Sequence, residues 1–268
     1  MAILNLTAAD WPSFAALAAA EGWSIPLQEQ RLFQNHWRPF FFVLKEQGTP
    51  FGFVSAVAYK SSGWIGNLLI APEQRGKGYG AELFDFALDF LRRSRPQRIW
   101  LTASTQGAPL YRKRGFVSVD RIDRWSGSGL AATTEDSGRE LSDLIDCDTR
   151  CWGESRAPLL KLLCDDSLPL TAGEDRALLQ PGLEFWQLGP WLSPRQNPRD
   201  NRQLLQQSRE GTPQGKTLVA DILASSGQEL NLRNAGYQRG GSNELMCLAA
   251  DPQTPGGVVA LASLGSIG

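Results

Sequence analysis

The chain is poor in the residues that usually build metal centres. Its 268 residues include one histidine and four cysteines. His36 stands alone, and Cys147 and Cys151 have no second close pair or histidine cluster to complete a zinc site, so no metal is expected. At i and i+4 on a helix, those two cysteines read as small core residues. Sparse cysteine and the lack of a signal peptide imply a reducing cytoplasm. No apolar run approaches the ~20 residues of a membrane span. The formal net charge is −1, which provides no global field toward nucleic acid or an anionic membrane, so neither is an expected partner. Any anionic ligand must therefore be held by a local site.

What the chain does have is glycine, 27 in all, three of them alternating in one short run. Before that run the pattern predicts a helix from Ala8, capped by Thr7 and carrying Trp11, Phe14, Leu17 and Ala18. A short helix with Leu27, Arg31, Leu32 and Phe33 follows Pro26. Strands are expected over 40–45, 51–59 and 64–71. Then comes Arg75-Gly76-Lys77-Gly78-Tyr79-Gly80, leading into an amphipathic helix with Leu83, Phe86, Ala87, Phe90 and Leu91 on one stripe. A strand over 98–103, a helix over 108–114 and a strand over 116–125 complete the first half. This order describes an α/β fold with a mixed sheet flanked by helices.

A strand that feeds a glycine-rich turn and opens a helix is suited to phosphate. Glycines let successive backbone N–H groups point to one side, and the helix start adds partial positive charge. Arg75 and Lys77 would strengthen such a cradle. No Lys-Ser/Thr pair follows the last glycine, so this is not a Walker loop, and the glycine spacing is not that of the dinucleotide fingerprint. About thirty residues on stands Leu110-Tyr111-Arg112-Lys113-Arg114-Gly115-Phe116.

Together, in this order and spacing, the two segments resemble the GNAT superfamily of N-acetyltransferases. The resemblance implies acetyl-CoA as co-substrate and no metal. It implies a pyrophosphate loop made by Arg75, Gly76, Lys77, Gly78, Tyr79, Gly80 and Ala81. It implies that backbone on Leu68, Leu69 and Ile70 faces the thioester, with Gly66 able to accommodate a bulge or splay. Tyr111 would be the acid that protonates the departing thiolate, and Lys113 would approach the nucleotide phosphate. Many relatives carry Asn seven residues before the tyrosine; Ser104 stands there in this chain. For the base that deprotonates the amine, Glu21, Glu29 and Glu73 are candidates, with Glu29 on the helix that borders the acceptor site in this superfamily. Glu21-Gly22-Trp23, Phe33, Trp37 and Phe40 are candidates for the acceptor pocket.

The second half reads as a degraded copy of the first. Leu69-Ile70-Ala71-Pro72 matches Trp191-Leu192-Ser193-Pro194, 122 positions on, and Gly115-Phe116 matches Gly236-Tyr237, 121 positions on. After Pro194 comes Arg195-Gln196-Asn197-Pro198-Arg199, with no glycine, and the counterpart of Tyr111 is Leu232. The polar, small-residue stretch Ser126-Gly127-Ser128-Gly129, followed by Thr133 to Gly138, reads as a linker, so the expected domains are 1–127, binding acetyl-CoA, a linker over 128–138, and a divergent domain over 139–268 lacking the phosphate loop. In the second, helices are expected over 141–151, 158–164 and 199–209, and strands over 177–180, 183–192 and 217–223. Asp148, Trp152, Glu154 and Arg156 are candidates to face the acceptor. The expected function is acetyl transfer to the primary amine of a small molecule or amino acid, with the chain as monomer or homodimer. The alternatives are a protein or peptide N-terminal acetyltransferase, and an acyl-CoA-binding sensor without turnover.

Overall fold

A computed structural model describes residues 1–37, 40–130 and 141–268. The first half contributes β1 (Ala2–Asn5), α1 (Trp11–Ala20), α2 (Leu27–Arg31), β2 (Phe41–Glu46), β3 (Thr49–Ala58) and β4 (Ser62–Ile70). It continues through α3 (Tyr79–Arg92), β5 (Arg98–Ala103), α4 (Ala108–Arg112) and β6 (Val117–Ser128). The second half contributes α5 (Leu141–Trp152), α6 (Ala157–Leu163), β7 (Leu168–Ala172), β8 (Asp175–Gln180) and β9 (Phe185–Leu192). After these come α7 (Pro198–Gly211), β10 (Thr217–Leu223), α8 (Glu229–Asn234), β11 (Gln238–Ala249) and β12 (Val258–Ala260).

The succession β2-β3-β4-α3-β5-α4-β6 recurs as β7-β8-β9-α7-β10-α8-β11. β6 and β11 are both 12 residues long, and α3 and α7 are both 14. All 12 strands join in one sheet, ordered β1-β2-β3-β4-β5-β11-β6-β10-β12-β9-β8-β7. Near its middle the two repeats exchange their last strands. β11 lies between β5 and β6, with Cys247 opposite Trp100, while β6 pairs onward with β10, Ala220 opposite Trp125. The sheets of the two repeats are thus continuous, and each repeat completes the other.

Three apolar cores hold the layers. On one face α3 buries Leu83, Phe84, Ala87, Leu88 and Leu91 against the first repeat's strands. Each leucine or phenylalanine among them contributes roughly 1.5–3 kcal/mol. α7 does the same for the second repeat with Leu204 and Leu205. On the other face α1, α5 and α6 share a single core that crosses between the halves, including Phe14, Phe41, Trp64, Trp100 and Trp152. Cys147 and Cys151 are buried in it, Cys147 on α5 near the Glu174 carbonyl.

Several local expectations change. α1 begins at Trp11, not Ala8, because Asp10 takes the cap region: its carboxylate accepts from the Thr7 amide at 3.0 Å and hydroxyl at 2.7 Å. β1 and β7 were not expected from sequence; both lie at sheet edges, where alternation is weak. β6 runs on to Ser128, through Ser126 and Gly127, which the sequence suggested as the start of a linker. Those residues pair with β10, and a Cβ on Gly127 would sit 3.0 Å from the Tyr237 ring, so smallness there is a packing demand. The remainder of the expected linker, including Thr133 to Gly138, lies outside the described residues. Asp148 and Arg156 form a buried ion pair, Nη2 to Oδ1 at 2.5 Å, with Arg156 stacked 4.0 Å over Trp152. Glu154 accepts from the Ser61 amide at 2.6 Å. Trp152, packed against Trp64 and Trp100, and Glu154 join the halves, and none of Asp148, Trp152, Glu154 and Arg156 lines the cavity described next.

Candidate active site

β4 and β5 run parallel from Ser62 opposite Arg98 to Ile65 opposite Leu101, then part. Where they part, β4 carries a bulge. Ser55 faces Gly66 and Phe53 faces Leu69, so Asn67 and Leu68 share one position opposite Val54. Asn67 takes a positive φ of 54°, a conformation Asn tolerates better than most residues, and its side-chain amide donates to the Ser55 hydroxyl at 3.2 Å. The bulge re-aims Leu68 into the gap, while Leu69 and Ile70 stay buried in the two flanking cores.

The gap opens on a cavity of about 180 Å³. Its walls come from six parts of the chain. Trp23, Ile25 and Glu29 lie at and before α2, and Gly66 to Leu68 on β4. Thr102, Ser104 and Tyr111 follow β5 into α4, Arg124 and Asn243 come from the exchanged strands, and Leu264 to Ser266 close the far side. The sequence candidates Glu29, Leu68, Ser104 and Tyr111 thus meet in one space.

Glu29 is 5% exposed. Burial pushes its carboxyl up to about 7, against the smaller pull of Ser266, Asn67 and the Arg124 charge toward the ionised form. A carboxyl titrating there accepts a proton readily near neutral pH. Glu21 is differently engaged, accepting from Arg75 at 2.6 Å, and Glu73 is exposed on the loop beyond β4. Neither lines the cavity.

Tyr111 is 8% exposed, its ring packed on Phe84 at 4.8 Å. Burial raises its hydroxyl to about 12, so it remains protonated and able to donate at neutral pH. Gly107 lets the ring sit close, since a Cβ there would be 3.2 Å from the Tyr111 hydroxyl. Among the described residues that hydroxyl has no hydrogen-bond partner. Ser104 turns its own hydroxyl to the Gly107 amide at 3.2 Å. Lys113 is exposed at the end of α4.

On the outer side of the gap, α3 starts without a side-chain cap, at Gly78 in the left-handed region with φ 89°. Gly76 also has positive φ, 75°. Among the described residues the amides from Gly76 through Gly80 find no backbone acceptor before the helix ladder begins at Ala81. A row of free N–H groups at a helix start suits a pyrophosphate. A Cβ on Gly76 or Gly78 would meet nothing within 4 Å. Within the fold these glycines therefore answer to backbone conformation. Arg75 folds back instead of reaching outward, its Nε donating to the Ile70 carbonyl at 3.0 Å, and Lys77 donates to Gln74 at 2.9 Å. Tyr79 stacks on Phe51 at 5.1 Å and Ala81 continues the helix.

The corresponding place in the second repeat differs. α7 begins at Pro198 and is capped by Asn197, whose side chain accepts from the Arg199 amide at 3.0 Å. One free donor is consumed by the chain itself and one is absent in proline. Leu232, opposite number of Tyr111, is fully buried in the second repeat's core.

Arg124, Asn243, Thr102 and Leu264 to Ser266 were not suggested by the sequence. Arg124 is held by Asp221, Nε and Nη2 each 2.8 Å from a carboxylate oxygen, and its Nη2 also reaches the Leu264 carbonyl at 3.3 Å. Phe33 and Trp37, suggested for the pocket, are core residues, Phe33 packed on Phe41 and Trp37 on Phe33; of the aromatic candidates only Trp23 lines the cavity.

Residues 2–116 match the model of the acetyltransferase (GNAT) family. A holothin acyltransferase of Pseudoalteromonas sp. (strain SANK 73390) is 28% identical over 162 residues, covering 57% of this chain. The chain spans about half the length of that curated relative, 53%. Among solved structures, a proposed acetyltransferase from Pyrococcus horikoshii superposes with a TM-score of 0.80 at 18% identity, over 100% of this chain and 94% of the other. A GCN5-related N-acetyltransferase from Sphaerobacter thermophilus gives 0.66 at 16% identity, over 94% and 96%. The last two show likeness of fold.

Proposed function

We infer, from the premise that residues 2–116 are a domain of the acetyltransferase (GNAT) family, that the chain transfers an acyl group from acyl-CoA to the primary amine of a small molecule. Acetyl-CoA is the first donor to test. The observation that carries this reading is the meeting of Glu29, the β4 bulge and Tyr111 around one cavity, behind a row of free amides at the start of α3. The amides of Gly76 to Gly80 would hold the pyrophosphate, with Lys113 near the nucleotide end. Bound acyl-CoA supplies a thioester carbon for the amine to attack. The amine attacks directly: the C–N bond forms to give a tetrahedral intermediate, and the C–S bond then breaks with its electron pair leaving on sulfur.

The residues of this chain manage the protons. Glu29 takes one from the ammonium group, directly or through water, and leaves a nucleophilic amine. Backbone at Leu68 on the bulge stabilises the charge that develops on the carbonyl oxygen. Tyr111 gives its proton to the leaving thiolate, a base weak enough to depart yet strong enough to be protonated. The second repeat lacks the loop and the tyrosine, so one site per chain works; its contribution is Asn243 and the segment at Leu264 to Ser266.

The small cavity, about 180 Å³, favours a compact amine over a peptide N-terminus, which would need an open groove. The holothin acyltransferase relative supports acyl transfer and leaves the acyl chain open, so longer acyl-CoA donors stand beside acetyl-CoA in the test. That test is CoA release from purified protein across a panel of amines, read with a thiol reagent. Amine-dependent release supports the reading. Tight acyl-CoA binding without release for any amine favours a sensor instead.

A further inference from the structure

The second repeat retains a crevice equivalent to the gap between β4 and β5. β9 and β10 pair in parallel from Phe185 opposite Thr217 to Gln187 opposite Val219, then separate. Here the gap is filled by the chain itself. β12 enters it, Ala260 opposite Ile222 on one side and Trp191 on the other. The Leu261 amide donates to the Asp221 carbonyl at 3.1 Å, and the buried amides of Gln180 and Gln187 donate to the Ala262 carbonyl at 2.9 and 3.0 Å. Gly189 makes room, since a Cβ there would lie 2.0 Å from the Leu261 carbonyl oxygen.

From this anchor the chain turns around Ser263, whose hydroxyl accepts from the Gly265, Ser266 and Ile267 amides at 3.3, 3.1 and 3.0 Å. It then crosses β4 at the working site. Trp64 Nε1 donates to the Gly265 carbonyl at 3.1 Å, and the Tyr59 hydroxyl donates to the Ile267 carbonyl at 2.5 Å. A Cβ on Gly66 would sit 2.5 Å from the Ser266 carbonyl oxygen, so the two backbones touch beside the bulge. The stretch between, Leu264 to Ser266, forms cavity wall next to Glu29.

We propose that Leu264 and Ser266 are specificity-determining residues for the acceptor, presented by a segment that the second repeat's crevice holds in place. The inference rests on the acyl-transfer reading above and names the part of the site that selects the amine. A wall pinned on both sides cannot drift outward to absorb a change in side-chain volume. A volume change at Leu264 therefore passes into the cavity, where a single methylene alters discrimination by roughly 10- to 200-fold. The donor loop lies across the gap on α3, so donor binding is independent of the wall.

The test compares Leu264→Ala and Leu264→Phe, using ethylamine and benzylamine as compact and bulky acceptors and acetyl-CoA as donor. The kcat/KM ratio of bulky to compact amine is expected to rise about tenfold in Leu264→Ala and to fall by a similar factor in Leu264→Phe. The acetyl-CoA dissociation constant stays at the wild-type value in both. Shifts of opposite sign cannot come from a general folding defect. A ratio that does not move, or moves the same way in both variants, overturns the proposal while leaving acyl transfer intact. If the wild-type protein releases no CoA, the acyl-transfer reading has failed, and the same ratio is taken from calorimetric binding of the two amines in the presence of CoA. Opposite shifts there retain the wall; equal affinities overturn it.

Discussion

Replacing Glu29 by glutamine separates its work as a proton acceptor from its cost as a buried charge. The carboxyl titrates near 7 in the fold against an ordinary 4.5, because burial penalises the ionised form. The folded chain thus holds the proton more tightly than the unfolded chain. Its stabilising contribution is complete below about 4.5, erodes as pH rises from there, and is lost once pH passes about 7. At about 1.4 kcal/mol per tenfold in proton affinity, the loss amounts to about 3 kcal/mol. Glutamine fills the same space and has no proton to lose. Glu29→Gln should therefore melt higher than wild type at pH 8, by roughly 8 °C for a chain of this size, and lose that advantage by pH 4. Activity should move the other way. Wild-type kcat/KM should climb through pH 7, and the variant should lack that climb and run about a hundredfold slower at pH 8. Thermal melts from pH 4 to pH 9 and CoA-release rates over the same range provide the data. A variant less stable than wild type at pH 8 would show that Glu29 is not a costly buried charge, and one that keeps the climb through pH 7 would show that it is not the acceptor of the proton.

Tyr111→Phe preserves the ring stacked on Phe84 and removes the donor; turnover should fall by about tenfold or more with acetyl-CoA affinity unchanged. Loss of acetyl-CoA affinity in that variant would count against the acid role. Gly78→Ala forces an L-residue to a φ of 89°, at a cost of about 1–2 kcal/mol. It should weaken acetyl-CoA binding about tenfold by calorimetry, and Gly78→Asn, more at ease in that region, should weaken it less. Asp148→Asn leaves Arg156, 1% exposed, without its charge partner. That should cost about 3–5 kcal/mol and lower the melting temperature by roughly 10 °C; a shift near zero would mean that burial of Arg156 does not depend on Asp148.

The sequence reads best where the determinants are local. Gly76 and Gly78 declare positive φ by their identity, and the helix they open announces itself through Leu83, Ala87 and Leu91, all of which are buried. Glu29 was legible only as one of three glutamates. What singles it out is a neighbourhood made by Asn67, Arg124 and Ser266, the last 237 positions away. No window of sequence contains that. Arg124 looks like an ordinary strand cation until β10 brings Asp221 against it. Ser126 and Gly127 mislead for a related reason: small polar residues read as loop, yet Gly127 is small because Tyr237 lies on it. The repeat itself could be read from Pro194 and Gly236, but not the exchange of β6 and β11, since swapped and unswapped pairings satisfy the same local pattern.

That exchange has a consequence for how the protein is made. β5 cannot acquire its neighbour until β11 exists, and Trp100 meets Cys247 across 147 positions of chain. During synthesis at about 5–20 residues per second, β5 waits roughly 7–30 s after it has itself been made. Through that interval the exposed edge of β5 is a template for any passing strand. Such non-local closure also slows folding. The protein should therefore depend on chaperones during its synthesis more than its size alone suggests, and the first repeat, expressed by itself, should aggregate or pair with a second copy.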